Sequence, residues 1–450
     1  MSELDLLVIG AGACGLEGAI AAHDAGLDVA IVEKRDRPGG NSSLSTGSIP
    51  GAGTKYQRAA GIEDSPERMI ADLLAVSGHH DADNLTRVMA EQSAPLCEWL
   101  IDTLGARMEL ITAYKHVGHT VERLHAQSSR RGQDLVDDLL RFVAERGIPL
   151  AVGNSVDGLT DAGGAVTGAA IAGEPVAAKK VLLATNGFAA NREMVRRFCP
   201  EIAGAEYFGA LGSTGDAVAW GRRLGAALGN MGAYQGYAAV AYPQGHLLSW
   251  TTIEKGGILV GADCRRFGNE DAGYSGFAPD VMAQGEFAWA VYDRRIHDVA
   301  ALEEEYAEMA EMGAVRRADE PGALAEAAGI DPDALQAAIA AFNDTARGEA
   351  ADAFGRAKFA LAPLQPPFGI VKVKPGLFHT QGGLMVDEHA RVQRETGGVV
   401  PNLFAGGGAA TGISGRDGAS GYASGNGLLT ALGLGRLAGL RAAVEVKGAA

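Results

Sequence analysis

Cysteine is scarce, with four in 450 residues: Cys14, Cys97, Cys199 and Cys264, scattered without paired spacing. That distribution argues against a zinc site or a disulfide framework and fits a reducing compartment. Positive charge is also short, with 39 Lys and Arg against 55 Asp and Glu and a formal net charge of -16. A nucleic-acid backbone therefore finds no electrostatic footprint. No apolar run reaches the roughly 20 residues of a membrane span. A strand-like segment begins near Asp5, leaving no space for a charged n-region and an apolar h-region. Signal-peptide export is not expected, and a cytoplasmic location is. Proline is low at 16 residues, whereas glycine reaches 64. The glycines cluster without a three-residue period, which excludes collagen and points to tight turns and close backbone approach to a ligand. With 47% hydrophobic and 21% charged residues, wholesale disorder is excluded. The length suggests two or three domain-sized units.

Residues 5–9 read as a buried strand, followed at once by Gly10-Ala11-Gly12-Ala13-Cys14-Gly15. Residues 16–25 read as a helix stopped by Gly26, and residues 28–32 as a second apolar strand ending in Glu33. In Gly10-x-Gly12-x-x-Gly15 the first glycine makes the tight turn. The second admits a pyrophosphate, and the third lets helix pack on strand. The helix N-terminus turns unsatisfied N–H groups to the phosphates, and Glu33 stands where an acid takes ribose hydroxyls. This order of elements points to dinucleotide binding.

Further along, residues 65–104 are helical in pattern, starting at Ser65-Pro66-Glu67, and residues 131–146 form an amphipathic helix. Strand-like runs cover 166–171 and 180–185, broken by Asn186-Gly187. Charge density rises between about 249 and 368. There, residues 298–312 read as a surface helix, and Asp331-Pro332-Asp333 caps another running to about 345. The Pro-rich stretch 362–367 marks the exit of this block, which reads as an inserted lobe. The Gly-rich tail ends in a helix over 428–444.

After Glu33 comes a second glycine turn, Lys34-Arg35-Asp36-Arg37-Pro38-Gly39-Gly40-Asn41-Ser42. Further motifs are Leu183-Ala184-Thr185-Asn186-Gly187-Phe188 and His379-Thr380-Gln381-Gly382-Gly383-Leu384. The tail carries Pro401-Asn402-Leu403-Phe404-Ala405-Gly406-Gly407 and Ser424-Gly425-Asn426-Gly427-Leu428-Leu429. In these stretches and their order the chain resembles the FAD-dependent fumarate reductase, succinate dehydrogenase and 3-ketosteroid dehydrogenase flavoprotein superfamily. The resemblance implies an α/β fold. Its parts would be a Rossmann-like FAD-binding domain (GR2-type) of residues 1–235 and 366–450, and an inserted α+β substrate-capping domain of residues 236–365. It implies FAD contacts in the first turn (Gly10, Gly12, Ala13, Cys14, Gly15, Glu33, Lys34) and the second (Gly39, Gly40, Asn41, Ser42). Further contacts would come from Val156, Thr185, Asn186, Gly187 and Asp216, and from the tail (Gly407, Gly408, Gly425, Leu428, Leu429). A helix beginning near Gly425 would set its N–H groups against the negative charge a reduced flavin acquires. Covalently flavinylated members carry a histidine just after the second glycine turn. Residues 42–47 have none, so non-covalent FAD is expected. An acid often follows the tail glycines; here that position is Gly408.

The same resemblance locates the chemistry. Fumarate reductases place one arginine a few residues after Arg-Phe-x-Asn-Glu and another four before the tail asparagine. Here Arg266-Phe267-Gly268-Asn269-Glu270 leads to Tyr274, and the position before Asn426 is Tyr422. Two phenols in these places resemble the 3-ketosteroid dehydrogenase branch. By that resemblance Tyr422 and the Gly425–Asn426 backbone polarise a carbonyl, Tyr274 removes the α-proton, and hydride passes to flavin N5. Convergent donors stabilise the developing enolate. A phenol titrating at about 10 acts as a base near neutrality only if shifted down, a task for Arg265 or Arg266. Tyr114 is a supporting candidate. His379 either touches substrate or hydrogen-bonds beside the flavin. Arg416 either binds a carboxylate through its fork or pairs with Asp417. His125 and Arg130-Arg131 belong either to the substrate pocket or to a surface charge cluster. The expected activity is an FAD-dependent desaturation next to the carbonyl of a small cyclic ketone or keto acid, with an unidentified electron acceptor. The alternative is a reductase or dehydrogenase of di- or tricarboxylic acids. No iron–sulfur or haem-attachment pattern accompanies these motifs.

Overall fold

The computed structural model describes residues 3–113 and 115–449; Tyr114 lies outside the described residues. The chain forms two compact units. The first comprises Met1–Cys199, Gly209–Tyr234 and His379–Ala450, and the second Pro200–Phe208 and Gln235–Phe378.

The first unit is organised around a mostly parallel sheet. Strand Leu4–Ile9 lies between Val29–Val32 and Glu174–Leu183, in parallel register Ile9↔Val32 and Ile9↔Leu183. Val399–Ala405, from the far end of the chain, adds in parallel beyond Glu174–Leu183. Leu150–Ala151 closes the other side. Such strands are buried on both faces, which is why they read as unbroken apolar runs. Leu6, Val8, Val181, Leu182 and Leu183 are fully buried. A hairpin of Val156–Ala162 and Ala165–Ile171 attaches to Glu174–Leu183. The first helix starts three residues earlier than expected, and the start at Ser65-Pro66 is borne out. Ala13–Asp24 begins directly on the glycine turn, and Pro66–Ser77 is capped by Ser65, whose hydroxyl accepts from the Arg68 amide.

The C-terminal helix, Asn426–Gly448, is longer than the sequence suggests and crosses Ala13–Asp24 at close range. Glycine makes this crossing possible. A Cβ on Gly435 would stand 2.3 Å from the Cys14 carbonyl oxygen, and one on Gly439 2.3 Å from that of Gly18. Contrary to the expectation from apolar runs, this helix is long and apolar enough to cross a membrane. However, 67% of its apolar window is buried inside the protein, as in a core helix.

The second unit has its own hydrophobic core, including Val240, Leu259, Phe277, Val291, Phe342 and Ile370. Its sheet runs in the order Ile258–Val260, Ala288–Asp293, Phe368–Thr380, Gly232–Ala241, and helices such as Pro332–Ala346 pack alongside. Asp331 caps that helix by accepting from the Ala334 amide. Residues 366–378 fall inside this unit, beyond the Pro-rich exit, because Phe368–Thr380 pairs antiparallel with Ala288–Asp293 from Asp293↔Phe368 to Ala288↔Val373. Pro200–Phe208 joins it through Tyr207↔Leu377. The expected helix over 298–312 is two helices, Arg294–Ala300 and Glu304–Glu311. The Asp293 carboxylate caps the first, four residues earlier than expected.

Candidate flavin and substrate site

The first glycine turn has the tight geometry its spacing implies. Gly10 adopts φ +109°, and a Cβ there would meet the Ala184 carbonyl oxygen at 2.3 Å; one on Gly15 would meet the Gly10 oxygen at 1.8 Å. Gly12 precedes the helix, and the Ala13 amide donates to Ser42 Oγ (3.1 Å), tying the two glycine turns together. Glu33 accepts from the Ala11 amide (2.8 Å) and the Arg35 amide (2.9 Å). A carboxylate has about four lone-pair sites, so acceptor capacity remains for hydroxyls. Lys34 and Asp216, expected separately as cofactor contacts, pair with each other at 2.8 Å, with Thr214 alongside. Val156 starts its strand just after Asn154, whose amide donates to the Glu33 carbonyl. Cys14 is buried beside Gly406 and Gly407, and burial raises its thiol pKa.

The turn after Glu174–Leu183 is the second wall. Asn186 takes φ +63°, donates to Ser213 Oγ and accepts from the Gly187 amide. The departure at Gly408 now has a cause. A Cβ there would lie 2.5 Å from Asn186 Oδ1 and 2.7 Å from the Gly187 nitrogen, so no acid fits. Buried polar atoms of this unit without a hydrogen-bond partner among the described residues include Asn41 Nδ2, Thr185 Oγ1, Gln381 Nε2 and Asn426 Oδ1, as well as both Glu17 carboxyl oxygens. Buried polar groups are rarely left so. Those at Asn41, Thr185, Gln381 and Asn426 fall within the motif loops and at the C-terminal helix start, which fits a polar, dinucleotide-sized group such as FAD. Gly39, Gly40 and Asn41–Ser42 would hold it with the first turn, and Gly407, Leu428 and Leu429 from the tail.

The tail loop leads into that helix. Gly425 takes φ +82°, and a Cβ there would meet Pro50 at 2.7 Å. Asn426 Nδ2 donates to Ser414 Oγ at 3.3 Å. Tyr422 is half-buried. The His379 ring lies over the helix start, its Nε2 3.7 Å from where a Gly427 Cβ would stand. Its Nδ1 approaches the Thr380 carbonyl at 3.4 Å, and burial lowers its pKa. Neutral at physiological pH, this ring can offer a hydrogen bond but no fixed charge.

Two expectations are corrected. Arg416 is exposed and pairs with Asp81 (3.4 Å) instead of Asp417, whose Oδ1 lies against Gly232. His125 is not a substrate contact. It is fully buried, Nδ1 bonds the Arg123 carbonyl, Nε2 meets Thr54 Oγ1, and burial pushes its pKa down to about 4.

Sequence reasoning missed a group beside it. Arg123 is completely buried and grips Asp64 with two nitrogens at 2.7 Å and Asp72 at 2.9 Å. It also meets His119 Nδ1 at 2.9 Å, while His119 Nε2 bonds the Ser424 carbonyl at 2.8 Å. The available signal was an arginine directly before the short buried strand Leu124–Ala126, where charge is costly unless paired.

In the second unit Tyr274 is half-buried and lies tilted against Tyr237, ring centroids 5.1 Å apart; Tyr237 stacks in turn on Phe378 at 5.4 Å. Ser275 Oγ accepts from the Gly236 amide, which fixes the loop to the sheet. Arg266 does not supply the cation expected beside Tyr274. It is bidentate to Glu270 and ion-paired with Asp352. Arg265 is exposed.

The family model described as FAD binding domain matches residues 5–426. The chain is a member of this FAD-binding family. It is 30% identical to the "Probable fumarate reductase Ifc3" of Shewanella frigidimarina (strain NCIMB 400), over 97% of this chain and 74% of that protein. The structure of the open conformation of a flavocytochrome c3 fumarate reductase superposes with a TM-score of 0.83 at 29% identity. It covers 98% of this chain and 78% of that one. The 3-ketosteroid-delta4-(5alpha)-dehydrogenase from Rhodococcus jostii RHA1 superposes with a TM-score of 0.78 at 26% identity, over 98% and 97% of the two chains. The flavoprotein is thus an FAD-dependent oxidoreductase of the fumarate reductase family, acting on carbon–carbon bonds.

Proposed function

We propose that this oxidoreductase interconverts single and double bonds α,β to the carbonyl of a small cyclic ketone or keto acid, with FAD held non-covalently. One observation carries the reading: tyrosine stands at both motif positions, 274 and 422, where fumarate reductases use arginine. A guanidinium grips a carboxylate through a charged fork, whereas a phenol donates one hydrogen bond and suits a neutral oxygen. When bound, FAD supplies the two-electron centre that takes or returns a hydride. The chain's own groups handle the oxygen and the proton. Tyr422 and the Gly425–Asn426 amides at the helix start stabilise negative charge developing on the carbonyl oxygen. Tyr274 exchanges the α-proton. His379, neutral and set over Gly427, hydrogen-bonds beside them.

A second reading has a specific observation in its favour. Glu270 and Asp352 already answer the Arg266 charge, so Arg266 is not held in reserve as a partner for a phenolate base. In this reading Tyr274 acts in the other direction, donating a proton during reduction of an unsaturated carbonyl compound, and the relative in Shewanella frigidimarina is named a probable fumarate reductase. Anaerobic titration separates the two directions and the two substrate classes. Desaturation requires cyclic ketones to bleach the oxidised flavin. The alternative requires fumarate to reoxidise the reduced flavin while ketones leave the oxidised form untouched. Tyr274→Phe is expected to slow single-turnover flavin reduction by roughly 100-fold or more, the usual scale of a lost acid–base group; an unchanged rate removes Tyr274 from the mechanism.

A further inference from the structure

His119 stands outside every motif, yet its two ring nitrogens join a fully buried charge of the first unit to the loop that starts the C-terminal helix. Arg123 has only donors to offer, so His119 Nδ1 must be the acceptor in their 2.9 Å contact. The ring proton therefore sits on Nε2, which donates to the Ser424 carbonyl at 2.8 Å. The Ser424 amide in turn donates to the Val117 carbonyl at 3.0 Å. Both backbone groups of Ser424 are thus held by the 117–119 segment. Gly118, at φ +81°, presses so closely on Ala423 that a Cβ would stand 2.4 Å from the alanine methyl. The segment is itself anchored, because Asp72 accepts from the Thr120 amide and hydroxyl as well as from Arg123. Gln57 and Arg123 share Asp64. Burial and the Arg123 charge keep the imidazole neutral, with its pKa down to about 4.

We infer that His119 is a positioning residue: in the tautomer dictated by Arg123 it clamps Ser424, and so sets Tyr422 and the Gly425–Asn426 amides for their work on the substrate oxygen. The clamp is a matter of geometry; its consequence for turnover rests on the role proposed above for Tyr422 and those amides. Ser424 immediately precedes the left-handed Gly425, so a rotation at its carbonyl re-aims the first amides of the helix. Donors displaced by as little as about 1 Å lose much of their effect on developing charge.

Two variants separate the two bonds of the ring. His119→Asn keeps an acceptor near the Nδ1 position for Arg123 but cannot reach Ser424. His119→Gln keeps a donor near the Nε2 position for Ser424 but loses the acceptor facing Arg123. Hydrogen–deuterium exchange of the FAD-loaded protein, followed by mass spectrometry, reads the clamp without any substrate. The Asn variant is expected to exchange about tenfold faster in peptides spanning 422–428, with the Gln variant within about threefold of the parent, as befits loss of one buried bond. Equal acceleration in both variants, none in either, or acceleration spread over the whole first unit overturns the clamp. In the anaerobic ketone titration the Asn variant is expected to bleach the flavin about tenfold more slowly and the Gln variant to recover most of that rate. An Asn variant as fast as the parent overturns the consequence for turnover. If no cyclic ketone bleaches the parent flavin, the desaturation reading falls, and the exchange pattern still decides the clamp.

Discussion

Each unit sets an arginine in a cage of carboxylates, and the two cages end differently. Arg123 holds Asp64 and Asp72, and its remaining reach goes to His119 and onward to the tail. Arg266 holds Glu270 and Asp352 and rests against the Phe342 and Phe354 rings at 5.3 and 5.5 Å, with Arg356 3.5 Å from Glu270. The first cage is open at one corner and passes its geometry to a loop. The second is closed and serves its own segment, 266–274. Burial of a guanidinium is therefore no sign that it waits for an anionic substrate, and in both units its charge is already answered.

The comparison can be broken most forcefully at Arg123. Arg123→Met leaves two carboxylates without their cation in the core, and about 3–5 kcal/mol of stability should be lost. Urea unfolding measures this, and a loss near zero denies the cage its structural part. Acid tests the first unit next. His116, His119 and His125 are each depressed by burial from 6.5 to about 4. Between those limits the unfolded chain binds protons that the folded chain refuses. Their contribution is complete above about pH 6.5, falls as pH drops toward 4, and is constant below that, at about 1.4 kcal/mol per pH unit for each fully titrating group. In the second unit half-buried His297 shifts the same way. Exchange measured from pH 7 to 4 should therefore rise first in peptides around 116–126. Arg266→Met should cost less than Arg123→Met, about 2–3 kcal/mol, because Arg356 still faces Glu270. Equal losses would erase the distinction between the cages. Smallest of all, Arg416→Ala removes only an exposed pair with Asp81 and should change stability by less than about 1 kcal/mol. A large rise in KM in that variant would restore Arg416 as a substrate contact.

Legibility in the sequence followed the range of the interactions. The strand–glycine turn–helix–strand unit was readable because its signals are local: an apolar run, glycines whose Cβ would collide, and a helix start. The 298–312 segment misled because acidic helical composition continues through the break between Ala300 and Glu304, and because the first helix starts earlier, at the Asp293 cap. His125 drew attention as a histidine near arginines, while His119, six residues earlier, did not. Only the packing of 117–119 on 423–424 distinguishes their tasks. Arg266 looked available beside Tyr274, since nothing in its own motif reveals Asp352, 86 residues away.

The order of residues alone determined the nucleotide-binding framework, the FAD family and the two tyrosines in place of arginines, because glycine turns and motif positions need no distant partner to be recognised. Only the tertiary structure decided which charged groups are free to act. Ion pairs such as Arg123–Asp64 and Arg266–Asp352 join residues 59 and 86 positions apart, and a buried charge takes its chemistry from the neighbours that folding brings to it.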